Sequence, residues 1–267
     1  TASPTGSVCR SRNGFPMRHD FRGKVVAVTG GASGMGAASA RGFSSAGATV
    51  VIIDRNADGA ASVAAELGGP EPQIGDVRDS SFCAAVIDGI VEQQQRIDVL
   101  VNAAGTIHRV DSLGTADSDW DRVLGVNVSG MFYLCRAAVP HMIRQGGGAI
   151  VNFGSIWGAV GSAGATAYCV SKGAVHQLTR AMALDHVEQG IRINAVAPGE
   201  VNTPMLASER ERPPTEADLQ ALADATIPMK RLAEPEEIAN VVLFLASTDA
   251  SYMTGEIVHV DAGYTAR

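Results

Sequence analysis

Short apolar runs rich in β-branched residues alternate along the chain with longer segments whose apolar residues recur at helical spacing. The runs predict strands near residues 25–29, 49–53, 72–76, 97–101, 148–154, 191–197 and 256–260. Helices are expected between them, with long ones over residues 119–144 and 166–189. This alternation is typical of an α/β domain in which helices cover both faces of a doubly wound parallel sheet of about seven strands.

Two segments depart from this alternation. Residues 1–20 are rich in Ser, Gly, Arg and Pro, so we expect a flexible N-terminal tail followed by a single domain over residues 21–267. Residues 204–230 are highly charged and are long for a connection in a compact domain. The preferred interpretation is a mobile substrate lid, and the alternative is an inert surface excursion.

A glycine-rich turn follows the first predicted strand and opens into an Ala-rich segment. Gly30, Gly34 and Gly36 have the spacing Gly-x-x-x-Gly-x-Gly, which differs from the commoner Gly-x-Gly-x-x-Gly. Glycines let the backbone approach a pyrophosphate, and the N–H groups at the start of the following helix attract its charge. The turn predicts a Rossmann-type dinucleotide site, and a loop without a ligand is the alternative.

The second predicted strand leads into Asp54, where a Rossmann-type unit places an acidic residue for the adenosine ribose. A carboxylate accepts hydrogen bonds from both ribose hydroxyls and repels a 2′-phosphate, so Asp54 favours NAD over NADP. Arg55 is a signal in the other direction, because a guanidinium can bind such a phosphate. Ser33 adds no positive charge to the glycine turn, and NAD is the predicted cofactor.

Tyr168 and Lys172 are four residues apart. In a helix they lie on one face, with the phenol within reach of the ammonium. A free Tyr titrates near ~10, and a neighbouring cation brings its pKa closer to the working pH of a general acid or base. The spacing alone is weak evidence, because surface packing also produces it, but the upstream glycine turn favours a catalytic pair.

Composition narrows the function classes. The chain has 267 residues, 46% of them hydrophobic and 18% charged, and a formal charge of -7, which argues against nucleic acid as a partner. No apolar run approaches the ~20 residues of a membrane span, so no membrane association is expected. Four cysteines, Cys9, Cys83, Cys135 and Cys169, lack metal-ligand spacing and indicate reduced thiols in a cytoplasmic protein without a metal site.

Six motifs in order resemble the short-chain dehydrogenase/reductase family, in its branch of about 250 residues. They are the turn 29–36, Asn102-Ala103-Ala104-Gly105, Asn127, Ser155, Tyr168 with Lys172, and Pro198-Gly199 through Thr203. The resemblance runs from about Lys24 to Tyr264. It implies a Rossmann-fold oxidoreductase that binds a nicotinamide dinucleotide.

The resemblance also implies catalytic roles. Ser155 would hold the substrate oxygen near Tyr168, the general acid/base. Lys172 would lower the pKa of Tyr168 and bind the nicotinamide ribose, and Asn127 would hold a water in a proton relay that ends at Lys172. The alternatives are a turn or cap serine at 155 and a solvent-facing side chain at 127. His176, one turn beyond Lys172, is interpreted as a packing or interface residue.

By the same resemblance, further residues would bind the cofactor. They are Gly30, Ser33, Gly34, Met35, Gly36, Asp54, Asp76, Val77, Asn102, Ala103, Gly105, Tyr168, Lys172, Pro198, Gly199, Val201 and Thr203. Asp76 and Val77 end the third predicted strand and would contact adenine, with a helix cap as the alternative. Ordinary turns are the alternatives for residues 102–105 and for Thr203.

The predicted activity is NAD(H)-dependent interconversion of a secondary alcohol and a ketone by hydride transfer. Substrate contacts are expected from Ser155, Trp157, Tyr168, His108 and Glu200, within a mainly apolar pocket that suits a substrate of moderate size, while a sugar or polyol remains open. The alternatives are an NADPH-dependent carbonyl or 3-oxoacyl reductase and a non-catalytic dinucleotide-binding protein. The resemblance further implies a homotetramer that pairs the helices 119–144 and 166–189.

Overall fold

Seven parallel strands form one sheet in the order β3-β2-β1-β4-β5-β6-β7 in the computed structural model, which describes residues 19–210 and 212–266. The strands are β1 (Val25–Thr29), β2 (Thr49–Asp54), β3 (Gln73–Ile74), β4 (Val99–Asn102), β5 (Gly148–Phe153), β6 (Ile191–Pro198) and β7 (Ile257–Val260). This arrangement confirms the predicted doubly wound α/β fold. The predicted tail lies outside the described residues, except for His19 and Asp20.

The helices of the described residues cover both faces of the sheet, as predicted. They are α1 (Gly34–Ser45), α2 (Ala57–Leu67), α3 (Ser80–Gln94), α4 (Asp117–Leu124), α5 (Met131–Arg144), α6 (Thr166–His186), α7 (Glu216–Thr226) and α8 (Pro235–Ala246). Alternate residues of β1 show why two cores form. Val26 and Val28 pack towards α1 and α8, whereas Val25 and Ala27 pack towards α3, α5 and α6.

Two predicted elements differ in extent from the observed ones. The third strand has only two residues, Gln73 and Ile74, because it lies at the sheet edge and pairs with β2 alone. Asp76 and Val77 therefore lie beyond it, in the turn before α3. The expected helix over residues 119–144 begins at Asp117 and is interrupted by a π-helical turn, Gly125–Gly130.

The continuous helical segment Asp117–Arg144 is long and apolar enough, by composition, to cross a membrane. Many of its apolar side chains nevertheless belong to the protein core, while Phe132 and Ile143 are exposed. Leu134, Cys135, Ala138 and Met142 are buried against the sheet and α3. A core helix passes the same compositional test, so the segment gives no support for a membrane span.

The reversal of strand order lies between β1 and β4. Both strands present their carboxyl ends at the same edge, and the chain leaves β1 towards one face and β4 towards the other. Such a switch point creates a crevice at the carboxyl edge of an open α/β sheet. The glycine turn after β1 and the segment after β4 form the walls of this crevice.

Candidate active site

The glycine turn lies at this switch point and favours glycine at three of its positions. Gly30 has φ 64° and Gly34 has φ 52°, left-handed conformations that other residues rarely adopt. A Cβ atom on Gly36 would collide with the carbonyl oxygen of Gly30, and one on Gly30 would lie 2.8 Å from the backbone of Ala103. The bare backbone at the start of α1 opens on a cavity of about 310 Å³.

Most of the residues predicted to bind the cofactor line this cavity. They are Gly30, Ser33, Gly34, Met35, Gly36, Asp54, Asp76, Val77, Ala103, Gly105 and Thr203. Tyr168, Pro198, Gly199 and Val201 line a smaller chamber beside it. Met35, Thr203 and Met205 line both spaces, so the cavity and the chamber adjoin. Glycine-lined walls at a helix N-terminus fit the pyrophosphate of a dinucleotide.

Asp54 fixes the backbone at the far end of the cavity. Its Oδ2 accepts a hydrogen bond from the N–H of Ala32 at 3.0 Å, and its Oδ1 accepts one from the N–H of Asn56 at 2.9 Å. Each carboxylate oxygen has a second lone pair available for a ligand hydroxyl. Asp54 therefore supports the glycine turn and leaves its negative charge at the cavity wall, beside Arg55.

Asp76 and Val77 reach the cavity from the turn before α3. Arg78 donates to Asp76 from its Nη2 at 2.6 Å and from its backbone N–H at 2.9 Å. The side-chain hydrogen bond from Arg78 lowers the pKa of Asp76, against the effect of burial. Val77 packs against Gly130, where a Cβ atom would lie 2.8 Å from the Val77 side chain. The part of the cavity predicted to bind adenine is therefore lined by the ionised Asp76, which Arg78 holds in place, and by the apolar Val77.

The side chain of Asn102 does not line the cavity. It is buried and donates from Nδ2 to Asn152 Oδ1 at 2.9 Å, with Cys135 Sγ 3.2 Å away. This hydrogen bond connects β4 with β5. Side chains alternate between the two faces of a sheet, and the Asn102 side chain lies on the face that packs against α5. Of the segment predicted to pass beneath the cofactor, the residues after Asn102 form the cavity wall.

Asn127 lies in the π-helical turn and is completely buried, so the solvent-facing alternative is wrong. Its Oδ1 accepts from the N–H of Thr106 at 2.8 Å. Its Nδ2 donates to the carbonyl of Thr106 and to Ser171 Oγ, both at 2.9 Å. A π turn adds one residue to a helical turn and often occurs at functional sites. Here it directs Asn127 towards the loop after β4 and towards α6, which carries Lys172.

Tyr168 and Lys172 lie on the same face of α6, as their spacing predicts. The Lys172 Nζ is 5.5 Å from the centre of the Tyr168 ring and donates to the carbonyl of Phe153 at 2.7 Å. Ser155 follows β5 and accepts from the N–H of Trp157 at 3.2 Å, so it also caps a short 3₁₀ turn. All three functional side chains are buried: Tyr168 is 8% exposed, Lys172 4% and Ser155 7%.

Burial controls the protonation of the Tyr168–Lys172 pair. It raises the pKa of Tyr168 to about 12, while a hydrogen bond with Ser155 acts in the opposite direction. It lowers the pKa of Lys172 to about 8. The expectation that the cation simply lowers the pKa of Tyr168 is therefore not met here. Lys172 loses its proton before Tyr168 does, because both charged forms are poorly solvated.

The smaller chamber surrounds the Tyr168 phenol. Trp157 packs edge-on against the Tyr168 ring, with 5.8 Å between the ring centres. Glu200 lies at the wall, as predicted, and Arg109 also lines the chamber. Sequence reasoning missed Arg109 and selected the adjacent His108. The sequence shows a positive charge at Arg109 in the loop after β4. An irregular loop has no hydrophobic periodicity that would show whether His108 or Arg109 faces the chamber.

His108 lines neither the cavity nor the chamber. Its Nδ1 is 2.8 Å from Glu209 Oε2, and Arg122 Nη2 is 2.7 Å from Glu209 Oε1. Glu209, in the predicted lid, has a left-handed backbone with φ 57°. Its carboxylate therefore joins the lid to the loop after β4 and to α4. The structure assigns His108 to this junction and not to the substrate wall.

His176 packs behind the Ser155 turn, in agreement with the packing interpretation. It is 4% exposed, and its ring meets that of His259 edge-on with centres 6.3 Å apart. Burial lowers the pKa of His176 to about 4, so the ring is neutral near pH 7. Gly154 and Gly158 leave the space that the imidazole fills.

A dinucleotide cavity that adjoins a buried phenol and ammonium is the arrangement of an oxidoreductase that uses a nicotinamide dinucleotide. A family model described as enoyl-(acyl carrier protein) reductase matches residues 30–265. The chain belongs to the short-chain dehydrogenase/reductase family.

Relatives and solved structures match over nearly the whole chain. Galactitol 2-dehydrogenase (L-tagatose-forming) of Cereibacter sphaeroides is 44% identical over 247 residues, which cover 91% of this chain and 95% of the relative. Meso-2,3-butanediol dehydrogenase of Serratia marcescens is 41% identical and covers 92% and 96%. A crystal structure from Beutenbergia cavernae, a candidate NAD(P)-dependent gluconate 5-dehydrogenase with NADP at low occupancy, has a TM-score of 0.86 and 35% identity, covering 93% and 99%.

Proposed function

We propose that this protein interconverts a secondary alcohol and a ketone with NAD(H), and that Tyr168 is the general acid/base. The carrying observation is that Ser155 and Tyr168 line the chamber beside the dinucleotide cavity, while the buried Lys172, which lines neither space, holds its Nζ 5.5 Å from the centre of the Tyr168 ring. The matched relatives named for galactitol and butanediol support an alcohol substrate. A bound nicotinamide would supply the hydride acceptor in oxidation and the donor in reduction.

The protein's own residues would handle the proton and the orientation. Ser155 would donate a hydrogen bond to the substrate oxygen and hold it beside Tyr168. In oxidation the Tyr168 oxygen would take the hydroxyl proton as the carbinol carbon gives up its hydride, and in reduction it would return that proton. The buried Asn127 would hold the polar backbone of Thr106 and the hydroxyl of Ser171 in register with the turn of α6 that carries Lys172.

The cofactor we favour is NAD. The Asp54 carboxylate at the cavity wall would accept ribose hydroxyls and repel a 2′-phosphate. The second candidate is NADP-linked reduction, which Arg55 at the same wall and the NADP in the Beutenbergia cavernae structure favour. Steady-state rates with both cofactors at equal concentration separate the two candidates.

Tyr168→Phe tests the assigned base. The variant should lose at least ~10³-fold in kcat/KM for alcohol oxidation while NADH binding, followed by fluorescence, persists. Tyr252→Phe is the matched control, because Tyr252 is fully exposed and lies outside both spaces. Near-normal turnover in Tyr168→Phe would exclude the assignment. A protein that binds NADH but oxidises no alcohol and reduces no ketone in a broad panel would instead be a non-catalytic binding protein.

We further propose that residues 204–230 act as a lid and that the protein forms a homotetramer. The Glu209 junction with His108 and Arg122 gives the lid a polar attachment to the loop after β4 and to α4. Val170 and Leu184 on α6 are exposed apolar side chains, as a helix-pairing surface requires. Light scattering of the purified protein measures the oligomeric mass directly.

A further inference from the structure

Two opposite charges face the same mainly apolar chamber. Ile107, Ile156 and Leu206 line it together with Arg109 and Glu200. Burying a charged side chain in such surroundings is unfavourable in free energy unless an oppositely charged or hydrogen-bonding partner compensates for the lost hydration. Among the described residues no ion pair joins Arg109 to Glu200. The chamber therefore carries a separated cation and anion, and a ligand between them could contact both.

Arg109 is held in place by the lid backbone. Its Nε donates to the carbonyl of Ser208 at 3.2 Å, and its Nη2 donates to the carbonyl of Met205 at 3.4 Å. A guanidinium has five N–H donors, so these two hydrogen bonds leave three for other acceptors. Arg109 is thus a fixed hydrogen-bond donor at the chamber wall, positioned by the segment that closes over the chamber.

Glu200 provides the opposing acceptor. It follows Gly199 at the end of β6, and the hydrogen bond from Ala233 N–H to its backbone carbonyl at 3.0 Å fixes its position. Both charges act on the phenol: Glu200 raises the pKa of Tyr168 and Arg109 lowers it. Arg109 and Glu200 therefore line the same chamber as Tyr168 and lie within electrostatic range of its phenol.

We infer that Arg109 and Glu200 together recognise a second hydroxyl beside the reacting carbinol, so that the site selects neutral vicinal diols and polyols over simple alcohols and hydroxy acids. This inference rests on the proposed function. A hydroxyl can accept from Arg109 and donate to Glu200 at the same time. A simple alcohol leaves both charges without a ligand partner, and a carboxylate gains Arg109 but is repelled by Glu200.

A matched substrate set tests this selectivity on the wild-type protein. The set is 2-butanol, the three stereoisomers of 2,3-butanediol, galactitol and 3-hydroxybutanoate, each assayed with NAD and with NADP. At least one stereoisomer of the diol should exceed 2-butanol in kcat/KM by tenfold or more, equivalent to ~1.4 kcal/mol, because the two molecules differ only in the second hydroxyl. 3-Hydroxybutanoate should react more slowly than that diol.

Substitutions then assign the selectivity to the two side chains. Glu200→Ala and Arg109→Met should each reduce the ratio of diol to 2-butanol kcat/KM towards one, whereas Glu200→Gln should retain part of it, because the amide oxygen still accepts a hydrogen bond. Glu66→Ala and Arg41→Met are the matched controls, since both residues are exposed, lie outside residues 204–230 and line neither space. The controls should keep the wild-type ratio.

The outcomes separate this inference from the proposed function. Equal rates with 2-butanol and every diol isomer, or an unchanged ratio in Glu200→Ala and Arg109→Met, would overturn the hydroxyl recognition and leave the alcohol dehydrogenase intact. A preference for 3-hydroxybutanoate would overturn it in favour of a carboxylate site at Arg109. Oxidation of no compound in the set or in the broader panel would refute the proposed function and this inference with it.

Discussion

Lys172→Met removes the cation beside the Tyr168 phenol, the proposed general acid/base. With the pKa of Tyr168 at about 12, ionising the phenol at pH 8 costs ~5.4 kcal/mol without help. A charge at the 5.5 Å separation of Lys172 Nζ from the ring would offset ~3 kcal/mol at an effective dielectric constant near 20. That energy corresponds to about two pKa units for Tyr168. The variant should therefore lose ~100-fold in alcohol oxidation wherever the rate depends on the phenolate.

The assay is the pH dependence of kcat/KM for alcohol oxidation. Oxidation needs the deprotonated phenol, so kcat/KM rises with pH, and Lys172→Met should lie ~100-fold below the wild type at pH values below 8 and approach it at higher pH. Because burial lowers the pKa of Lys172 to about 8, its charge contributes fully only below that pH. Lys24→Met is the control, because the exposed Lys24 precedes β1 and so lies at the sheet edge opposite the cavity. Identical profiles for the wild type and Lys172→Met would show that Lys172 acts without its charge.

The other predictions concern the cofactor, the fold and the lid. Asp54→Asn removes the negative charge from the ribose wall and should raise the NADP-to-NAD ratio of kcat/KM by about tenfold or more; a constant ratio would refute the charge argument. Gly36→Ala would place Cβ against the carbonyl oxygen of Gly30, so NADH binding by fluorescence should be lost while circular dichroism still reports folded protein. Burial alone would raise the pKa of Asp98, but hydrogen bonds from Arg96, the N–H of Val25 and Lys24 hold it below its usual range. Since Asp98 is ionised at lower pH in the folded protein, its stabilisation is present above ~pH 4 and lost at lower pH, so Asp98→Asn should cost ~2 kcal/mol and about 4 °C in calorimetry at pH 7, a difference that shrinks in acid. Glu209→Gln weakens the lid junction and should raise the KM for alcohol more than it changes kcat, whereas an unchanged KM would argue for an inert excursion.

The parts of the site that are local in sequence were predictable. The strand, the glycine turn and the start of the helix follow one another within about a dozen residues. The spacing of Tyr168 and Lys172 is enough to place both on one face of a helix. Each of these inferences needs only short-range geometry. The position of Gly30 relative to Ala103 then follows from the parallel pairing of β1 with β4.

The residues that sequence reasoning misplaced lie where periodicity gives no direction. His108 and Arg109 are adjacent in an irregular loop, and only the attachment of the lid decides which of them lines the chamber. Asn102 ends a strand, so its side chain follows the pleat into the core instead of the cavity. Asn127 was selected through the family resemblance, but the π turn that buries it depends on tertiary contacts.

The π-helical turn Gly125–Gly130 divides one continuous helical segment into two parts, α4 and α5. In a regular helix the side chains of α4 and α5 would follow one continuous helical spacing. The extra residue of the π turn rotates the side chains of α4 about the helix axis relative to those of α5. Deleting one residue from this turn would rotate Arg122 by ~100° relative to α5, away from the lid carboxylate it now holds. The number of residues in this turn therefore decides whether Arg122 can bind Glu209 while Asn127 keeps its buried hydrogen bonds.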